Sequence, residues 1–508
     1  MKLEQTYAET FLELAVEARP DIPADSRVSW VNEPLAQDLG LDAEWLASAE
    51  GLKWLTGQKE AEPGEDAGSS YALAYSGFQF GHLSPVLGDG RAHLIGELPV
   101  ADAHTPDILS HRVDLHLKGS GRTPFSRPGS DGKAPLSAVW REVIIGEFFA
   151  AMNVPTSRAL AVIETGETVR RRSPLPEPAA IVVRVASSHI RVGTFQYAQM
   201  NMPIDQRKRL VDYALERHFP HLKTQEHALE ESSSALKLLQ AVAEKQADLV
   251  AQWMGLGFIH GVLNTDNVLV SGESIDFGPC AFVDEFRMNA VFSSIDQQGR
   301  YAFGNQPGIT QWNLARFAES LLDLMAGNPN DAVDDATAVL AAFDERFQER
   351  WVQIFAVKLG VSVENISTAH REQLKTFIGQ TLTLLEKHSL DFTEFFYTLT
   401  HTPEQISLLS GEDSAEELMD WLSELMEFRG VTGTAEAVSR SLMEGANPLY
   451  IPRNMRVDAA LREVEKGNSE PVERLLDALR QPMTRRDGLE DLETAPDNSR
   501  FFTSFCGT

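Results

Sequence analysis

The chain has 508 residues, 43% of them hydrophobic, which predicts a sizeable core and either two or three domains or one large two-lobed unit. Its net charge of −29 argues against nucleic acid and membrane surfaces as partners, since both are anionic. Two cysteines, Cys280 and Cys506, are too few for a disulfide framework or a cysteine-held zinc, and point to a reducing compartment.

Residues 1–70 carry short helical patterns and end in GQKEAEPGEDAGSS (57–70), a polar run that reads as a connection. The N-terminus, MKLEQTYAETFLELAVEARPD, is acid-rich and lacks the apolar run of a secretory signal or the Arg-rich texture of a transit peptide. No stretch of about 18 uncharged apolar residues predicts a transmembrane helix. The expectation is therefore a soluble cytoplasmic protein.

From 71 to about 200 the texture is short strands and glycine-rich turns. RAHLIGEL (91–98) and RVDLHLK (112–118) read as strands, and in the second Val113, Leu115 and Leu117 face one way while Asp114, His116 and Lys118 face the other. A Gly/Pro/Ser-rich loop leads to a helix over about 139–152, with Trp140, Val143, Ile144, Phe148 and Ala151 at helical spacing. IVVRVA (181–186) reads as a buried strand. Beyond about 204 the chain is mostly helical, with amphipathic stretches at 225–256 and 310–327, interrupted by strand and loop at 260–286. Residues 466–508 read as loosely organised. This order predicts an α+β protein of kinase-like arrangement: a β-rich N-lobe (71–186), a larger helical C-lobe (187–465), terminal additions (1–70 and 466–508), and a ligand cleft between the lobes.

The chemistry-bearing words begin with HGVLNTDN (260–267) and VLVSGESIDFGP (268–279). A kinase catalytic loop reads H-R-D-L-x-x-x-N, followed by a hairpin and D-F-G. His260, Leu263 and Asn267 match the loop. Val268 to Ile275 reads as the hairpin, and Asp276-Phe277-Gly278 as D-F-G. The amide oxygen of Asn267 and the carboxylate of Asp276 are hard ligands suited to Mg²⁺ or Mn²⁺. Val262 stands where the kinase base would be and cannot accept a proton; the nearest carboxylate is Asp266.

Lys118 ends its strand and Glu142 lies near the start of the following helix, the order of the kinase lysine and its glutamate partner. Gly88 and Gly90 in LGDGR (87–91) let backbone amides approach phosphate or simply make a hairpin turn; between them Asp89 would repel phosphate if it pointed inward, and Arg91 would attract it. Arg184 and Arg191 bracket VASSHI and offer guanidinium forks for phosphate. Arg184, inside an apolar strand, needs either a ligand or an ion pair. Asp131 and Gly132 in SDGK (130–133) read locally as a turn.

These pieces together resemble the selenoprotein O family of atypical kinases. The matching words are YSGFQFG (75–81), LGDGR, DLHLKGSGRTPFSR (114–127), RVASSHIRVGTF (184–195), HGVLNTDN, DFGP, DQQGRYAFGNQP (296–307) and NPLYIPRN (447–454). The resemblance implies ATP bound in a flipped orientation and transfer of AMP, not phosphate, to protein hydroxyls. It implies nucleotide contacts at Gly88, Gly90, Arg91, Lys118, Asp131, Gly132, Arg184, Arg191 and Asp276. It further implies Asp266 as proton acceptor, Asn267 and Asp276 as metal ligands, and Glu142 as the partner of Lys118. Phe78, Leu136 and a one-residue insertion before Asp131 depart from the family pattern. Cys506, third from the C-terminus, occupies a family cysteine position, whereas AVFSSID (290–296) lacks the cysteine of a family redox pair. Cys280 is then the one intramolecular thiol available to Cys506; the alternative is a buried, inert Cys280. The rival functions are a protein Ser/Thr kinase, against which Val262 argues, and a non-catalytic nucleotide-binding scaffold, against which retention of both metal-ligand candidates argues.

Overall fold

The computed structural model describes residues 2–58, 70–100, 112–171, 175–224, 233–325, 327–364, 366–496, 499 and 502–504. In chain order, α1 (Thr6–Thr10), β1 (Ala15–Glu17), β2 (Arg27–Val31), α2 (Glu33–Asp38), α3 (Ala43–Leu46) and α4 (Ala49–Leu55) precede β3 (Tyr71–Leu73), β4 (Gly77–Gln79) and β5 (His82–Ser84). Next come β6 (Ala92–Pro99), β7 (Arg112–Lys118), β8 (Ala134–Pro135), α5 (Leu136–Ala151), β9 (Arg158–Val169) and β10 (Glu177–Ala186). Helices then dominate: α6 (Val192–Asn201), α7 (Ile204–His218), α8 (His221–Thr224) and α9 (Ser234–Gly255) run up to the short pair β11 (Phe258–Ile259) and β12 (Ala281–Phe282). After them come α10 (Gln306–Leu321), α11 (Pro329–Lys358), α12 (Thr368–Lys387), α13 (Phe392–His401), α14 (Glu412–Val431), α15 (Glu436–Glu444), α16 (Asn454–Val464) and α17 (Glu470–Arg480).

The main sheet is antiparallel, in the order β1-β3-β6-β7-β10-β9-β2, with β8 beside β10. Both edge strands come from the first 70 residues. The alternation in β7 has two causes. Val113, Leu115 and Leu117 join Ile181 and Val183 of β10 in a core closed by Leu35, Leu39, Trp54 and Leu55 of the N-terminal helices. The opposite face carries Asp114, which pairs with Arg217 of the later helical half, His116, and Lys118, which pairs with Glu142 of α5; Arg184 lies across from His116 in the β7–β10 register. Helix α5 buries Val139, Trp140, Val143, Ile144 and Phe148, so it is locked to the sheet and the helical half at once.

Two expectations are corrected. Residues 268–275 do not pair as a hairpin: Leu269 bridges to Arg191 and Ser274 to Thr156, with Gly272 turning between them at φ +83°. The two arms are drawn apart because each finds a different backbone partner, Leu269 at the start of α6 and Ser274 in the segment between α5 and β9. Residues 466–508 are not loose throughout. In α17, Val472, Leu475, Leu476 and Leu479 recur at i, i+3, i+4 and i+7 and are buried, and Arg480 at its end pairs with Glu147 of α5 at 3.0 Å. Residues 59–69 of the polar connection and 225–232 of the amphipathic stretch lie outside the described residues. No helix among the described residues is long and apolar enough to cross a membrane.

Lys358, at the end of α11, is fully enclosed. Its ammonium donates to Asn447 Oδ1 at 2.9 Å and lies 4.4 Å from the centre of the Phe396 ring. Burial pushes its pKa down to about 7. The folded value is thus below the unfolded one, and between them the unfolded chain holds the extra proton. Stability should therefore rise from pH 7 to pH 10, by up to about 1.4 kcal/mol per pH unit relative to Lys358→Met. Urea midpoints of both proteins across that range check this; parallel curves refute it.

Candidate active site

The site forms where β7, α5, β10 and the loop after β11 meet. The backbone of the 260–267 loop is pinned by its own polar side chains and by its neighbours. His260 Nε2 bonds the Ile275 carbonyl at 2.9 Å, Asn313 donates to the Leu263 carbonyl at 3.0 Å, and Asn267 Nδ2 donates to the Val262 carbonyl at 2.8 Å. That last bond orients the Asn267 amide and leaves its oxygen for another partner. Asp276 is held at φ +65°, a conformation a non-glycine residue adopts only when its surroundings force it, and such residues cluster at functional sites.

The Asp276 carboxylate is surrounded by cations. Lys118 Nζ reaches Oδ1 at 2.6 Å, Arg184 Nη2 reaches Oδ1 at 2.5 Å, and Arg191 Nη1 reaches Oδ2 at 3.0 Å. Glu142 on α5 pairs with Lys118 and takes two bonds from Arg184, at 2.6 and 2.7 Å. Burial alone would raise the carboxyl of Asp276, but Arg184, Lys118 and Arg191 outweigh it and hold Asp276 well below the usual range. For Glu142 burial is likewise outweighed, by Arg184 and Lys118. The result is a buried lattice of three cations and two anions. Arg184 has an ion pair, and the same guanidinium faces the centre of the site.

Asp266 differs in kind. Its backbone carbonyl accepts from Arg191 at 2.5 Å, yet its Oδ1 is buried without a hydrogen-bond partner. Burial pushes its pKa up to about 6; Arg191 pulls the other way. A carboxylate with a free oxygen and a pKa near neutrality can take a proton. Gly77 makes this possible sterically: a Cβ there would lie 2.4 Å from Asp266 Oδ1.

The backbone of the glycine loop is partly committed within the protein. The amides of Leu87 and Gly88 donate to the Tyr75 carbonyl and that of Asp89 to Leu73, so these three are committed within the protein. Gly88 is needed for its φ of +63° and because a Cβ would strike the Phe125 ring at 2.3 Å. Thr123 and Ser126 clamp the loop by donating to the carbonyls of Asp89 and Gly90, both at 2.6 Å. Asp89 points inward, where it accepts from His116 Nε2 at 2.9 Å and from the Leu73 amide. Burial opposes its ionisation, but His116 and Arg191 keep it below the usual carboxylate range. The Asp89 carboxylate thus lies between His116 and Arg191, whose guanidinium is 4.0 Å away.

A family model described as protein adenylyltransferase SelO matches residues 3–480. The chain belongs to this family. Among its relatives is the protein nucleotidyltransferase YdiU of Rhodococcus jostii, 44% identical, covering 100% of this chain and 94% of that protein. The YdiU proteins of Chromobacterium violaceum and Anoxybacillus flavithermus are each 43% identical, covering 96% of this chain and 98% and 95% of theirs.

Six of the sequence-picked residues are joined by contacts in one place, Lys118, Glu142, Arg184, Arg191, Asp266 and Asp276, and Asn267 follows Asp266 in the chain. Asp131 does not join them by any contact among the described residues; it pairs with Arg171 and accepts from the Lys133 amide at 2.9 Å. Gly132 packs on Gly121, where a Cβ would lie 2.2 Å from that carbonyl, so its glycine has a packing reason. Cys280 is fully buried, and burial pushes its thiol up to about 12, which makes it a poor nucleophile. Cys506 lies outside the described residues. Ser504, two residues earlier, donates to the Pro279 carbonyl at 2.6 Å, which brings the tail beside Cys280.

Sequence reasoning assigned no role to Tyr75, Gly77, His116 or His189. The Arg191 guanidinium lies 4.6 Å from the centre of the Tyr75 ring. His116 stacks on His189 with ring centres 4.0 Å apart, and His189 bonds Asp114 at 3.1 Å. The signal for Tyr75 and Gly77 was present in YSGFQFG, for His116 in the polar face of β7, and for His189 in RVASSHIRVGTF.

Proposed function

We propose that this chain moves AMP from ATP to Ser, Thr or Tyr hydroxyls of proteins, within a two-lobed kinase-like fold. The observation that carries the reading is the match to an adenylyltransferase family over residues 3–480. In this reading residues 71–186 form the N-lobe and 187–465 the C-lobe, while 1–70 and 466–508 are additions that complete the sheet edges and brace α5. The concentration of strands before residue 187 and of helices after it supports the division. The absence of a spanning helix among the described residues is compatible with a cytoplasmic location.

The acceptor hydroxyl attacks the α-phosphorus. A new oxygen–phosphorus bond forms, the bond from the α-phosphorus to the bridging oxygen breaks, and pyrophosphate leaves with that electron pair. Asp266 takes the hydroxyl proton; its partnerless oxygen and its pKa of about 6 support this role. Lys118, Arg184 and Arg191 turn from Asp276 toward the triphosphate, and Glu142 keeps Lys118 and Arg184 in place. Gly90 and Arg91 border the nucleotide; Asp131 and Gly132 carry that assignment from the family pattern alone.

The donor set fits a hard divalent cation. No group of three or more His, Cys, Asp or Glu ligands exists among the described residues, but Mg²⁺ is commonly held by one or two protein oxygens with the rest from phosphate and water. Asp276 and the uncommitted amide oxygen of Asn267 would hold Mg²⁺ or Mn²⁺, which supplies charge neutralisation at the phosphates.

The test is incubation with ATP labelled at the α or the γ position, with Mg²⁺ or Mn²⁺, followed by intact-mass analysis. We expect α-label in protein and a mass gain of one AMP. γ-label alone makes the chain a protein kinase, and no label with retained ATP binding makes it a scaffold.

A further inference from the structure

Beside the 260–267 loop lies a second concavity, a groove of about 670 Å³ lined by Phe80, His82, Ile295, Arg300, Asn305 and Ile309 among others. It is tied to the loop that carries the candidate proton acceptor. The Phe80 amide, at 3.2 Å, and the Tyr301 hydroxyl, at 2.5 Å, both bond Asn264 Oδ1, two residues before Asp266. The Phe78 amide bonds Thr265 Oγ1 at 2.8 Å. The β4–β5 hairpin thus spans from Asp266, which it touches at Gly77, to the groove, which it borders at Phe80.

The groove combines an apolar rim with an unspent positive charge. Phe80 is 38% exposed and Ile295 45%, large apolar groups left facing solvent. The Arg300 guanidinium stacks 4.8 Å from the centre of the Trp312 ring. It makes no ion pair among the described residues, and its Nε is buried without a partner. Asp296, the carboxylate of the groove, is spent on the backbone: it accepts from the amides of Arg300 at 2.9 Å and Tyr301 at 2.8 Å. The neighbouring Arg316 differs, since Glu319 answers it at 2.6 Å. In a chain of net charge −29, a stacked, half-buried arginine without a carboxylate is a site for an anionic group from outside.

We propose that this groove seats the acceptor segment of the protein substrate, with an Asp or Glu of that segment on Arg300 and an apolar side chain on Phe80 and Ile295. The acceptor hydroxyl then reaches Asp266 along the β4–β5 hairpin. The proposal rests on the AMP-transfer reading and adds a substrate class to it: acceptor hydroxyls flanked by acidic and apolar residues.

The experiment uses the full chain, α-labelled ATP with Mg²⁺, and synthetic peptides with a single Ser, Thr or Tyr flanked by Glu, Ala or Lys. The wild type is expected to label Glu-flanked peptides about fivefold better than Lys-flanked ones, the scale of one exposed charge pair. Arg300→Glu is expected to invert the order, a gain of labelling on Lys-flanked peptides that misfolding cannot produce. Equal labelling of all flanks, or the same order in wild type and variant, overturns the proposal. Label on the enzyme itself and on no peptide also overturns it, and assigns the groove to a second copy of the chain. Absence of α-label from every protein and peptide refutes the AMP-transfer reading underneath.

Discussion

Asp276→Ala is expected to lower AMP transfer by about a thousandfold, a loss of roughly 4 kcal/mol of transition-state stabilisation. The residue has two tasks in the proposed site. It supplies the one carboxylate oxygen available to the divalent cation, and it holds Lys118, Arg184 and Arg191 together in the absence of nucleotide. Alanine removes both. The three cations then lack a shared counter-ion, so a triphosphate should still bind, and the defect should fall on turnover. Calorimetric ATP binding beside single-turnover transfer separates the two. A variant that melts like the wild type and retains near-full transfer would sink the D-F-G assignment. Loss of ATP binding with turnover preserved would place Asp276 in nucleotide capture alone.

Much of the candidate site was legible because its residues sit in short local words. The order of Lys118 and Glu142, and the nine-position spacing of Asn267 and Asp276, are short-range facts that a sequence carries openly. The fold was legible where one face is apolar and the other not, as in β7. What stayed hidden depends on contacts between distant segments. Arg191 and Asp276 are 85 residues apart, and nothing in either local sequence says that they meet. Which way Asp89 points stayed open in the sequence because its partner, His116, comes from a strand 27 residues later. The arms of 268–275 looked like a hairpin because the backbone partners that separate them, near Arg191 and Thr156, lie far off in the chain. In α17 the apolar spacing was present, but its charged surroundings masked it until Arg480 met Glu147.

Asp266→Asn is expected to lower transfer by about 10²- to 10⁴-fold, the usual contribution of a positioned base. The pH profile should identify the cause. The wild-type rate should rise with pH through about 6, as the Asp266 carboxyl loses its proton, and then level off. In the variant that acidic limb should disappear, because an amide has no proton to lose. Stability should move the opposite way from activity. Burial has raised the folded pKa above the unfolded value, so the ionised form costs the folded state free energy at neutral pH, about 3 kcal/mol. This cost is absent below the unfolded pKa and complete above the folded one, near pH 6. An amide of the same shape avoids it, so Asp266→Asn should unfold at higher urea than the wild type at pH 7.5 and at the same urea near pH 4. A less active but more stable variant marks a group kept for chemistry at the expense of packing. Should the variant keep both full activity and its acidic limb, Asp266 is not the proton acceptor, and the proton must leave through another group or directly to water.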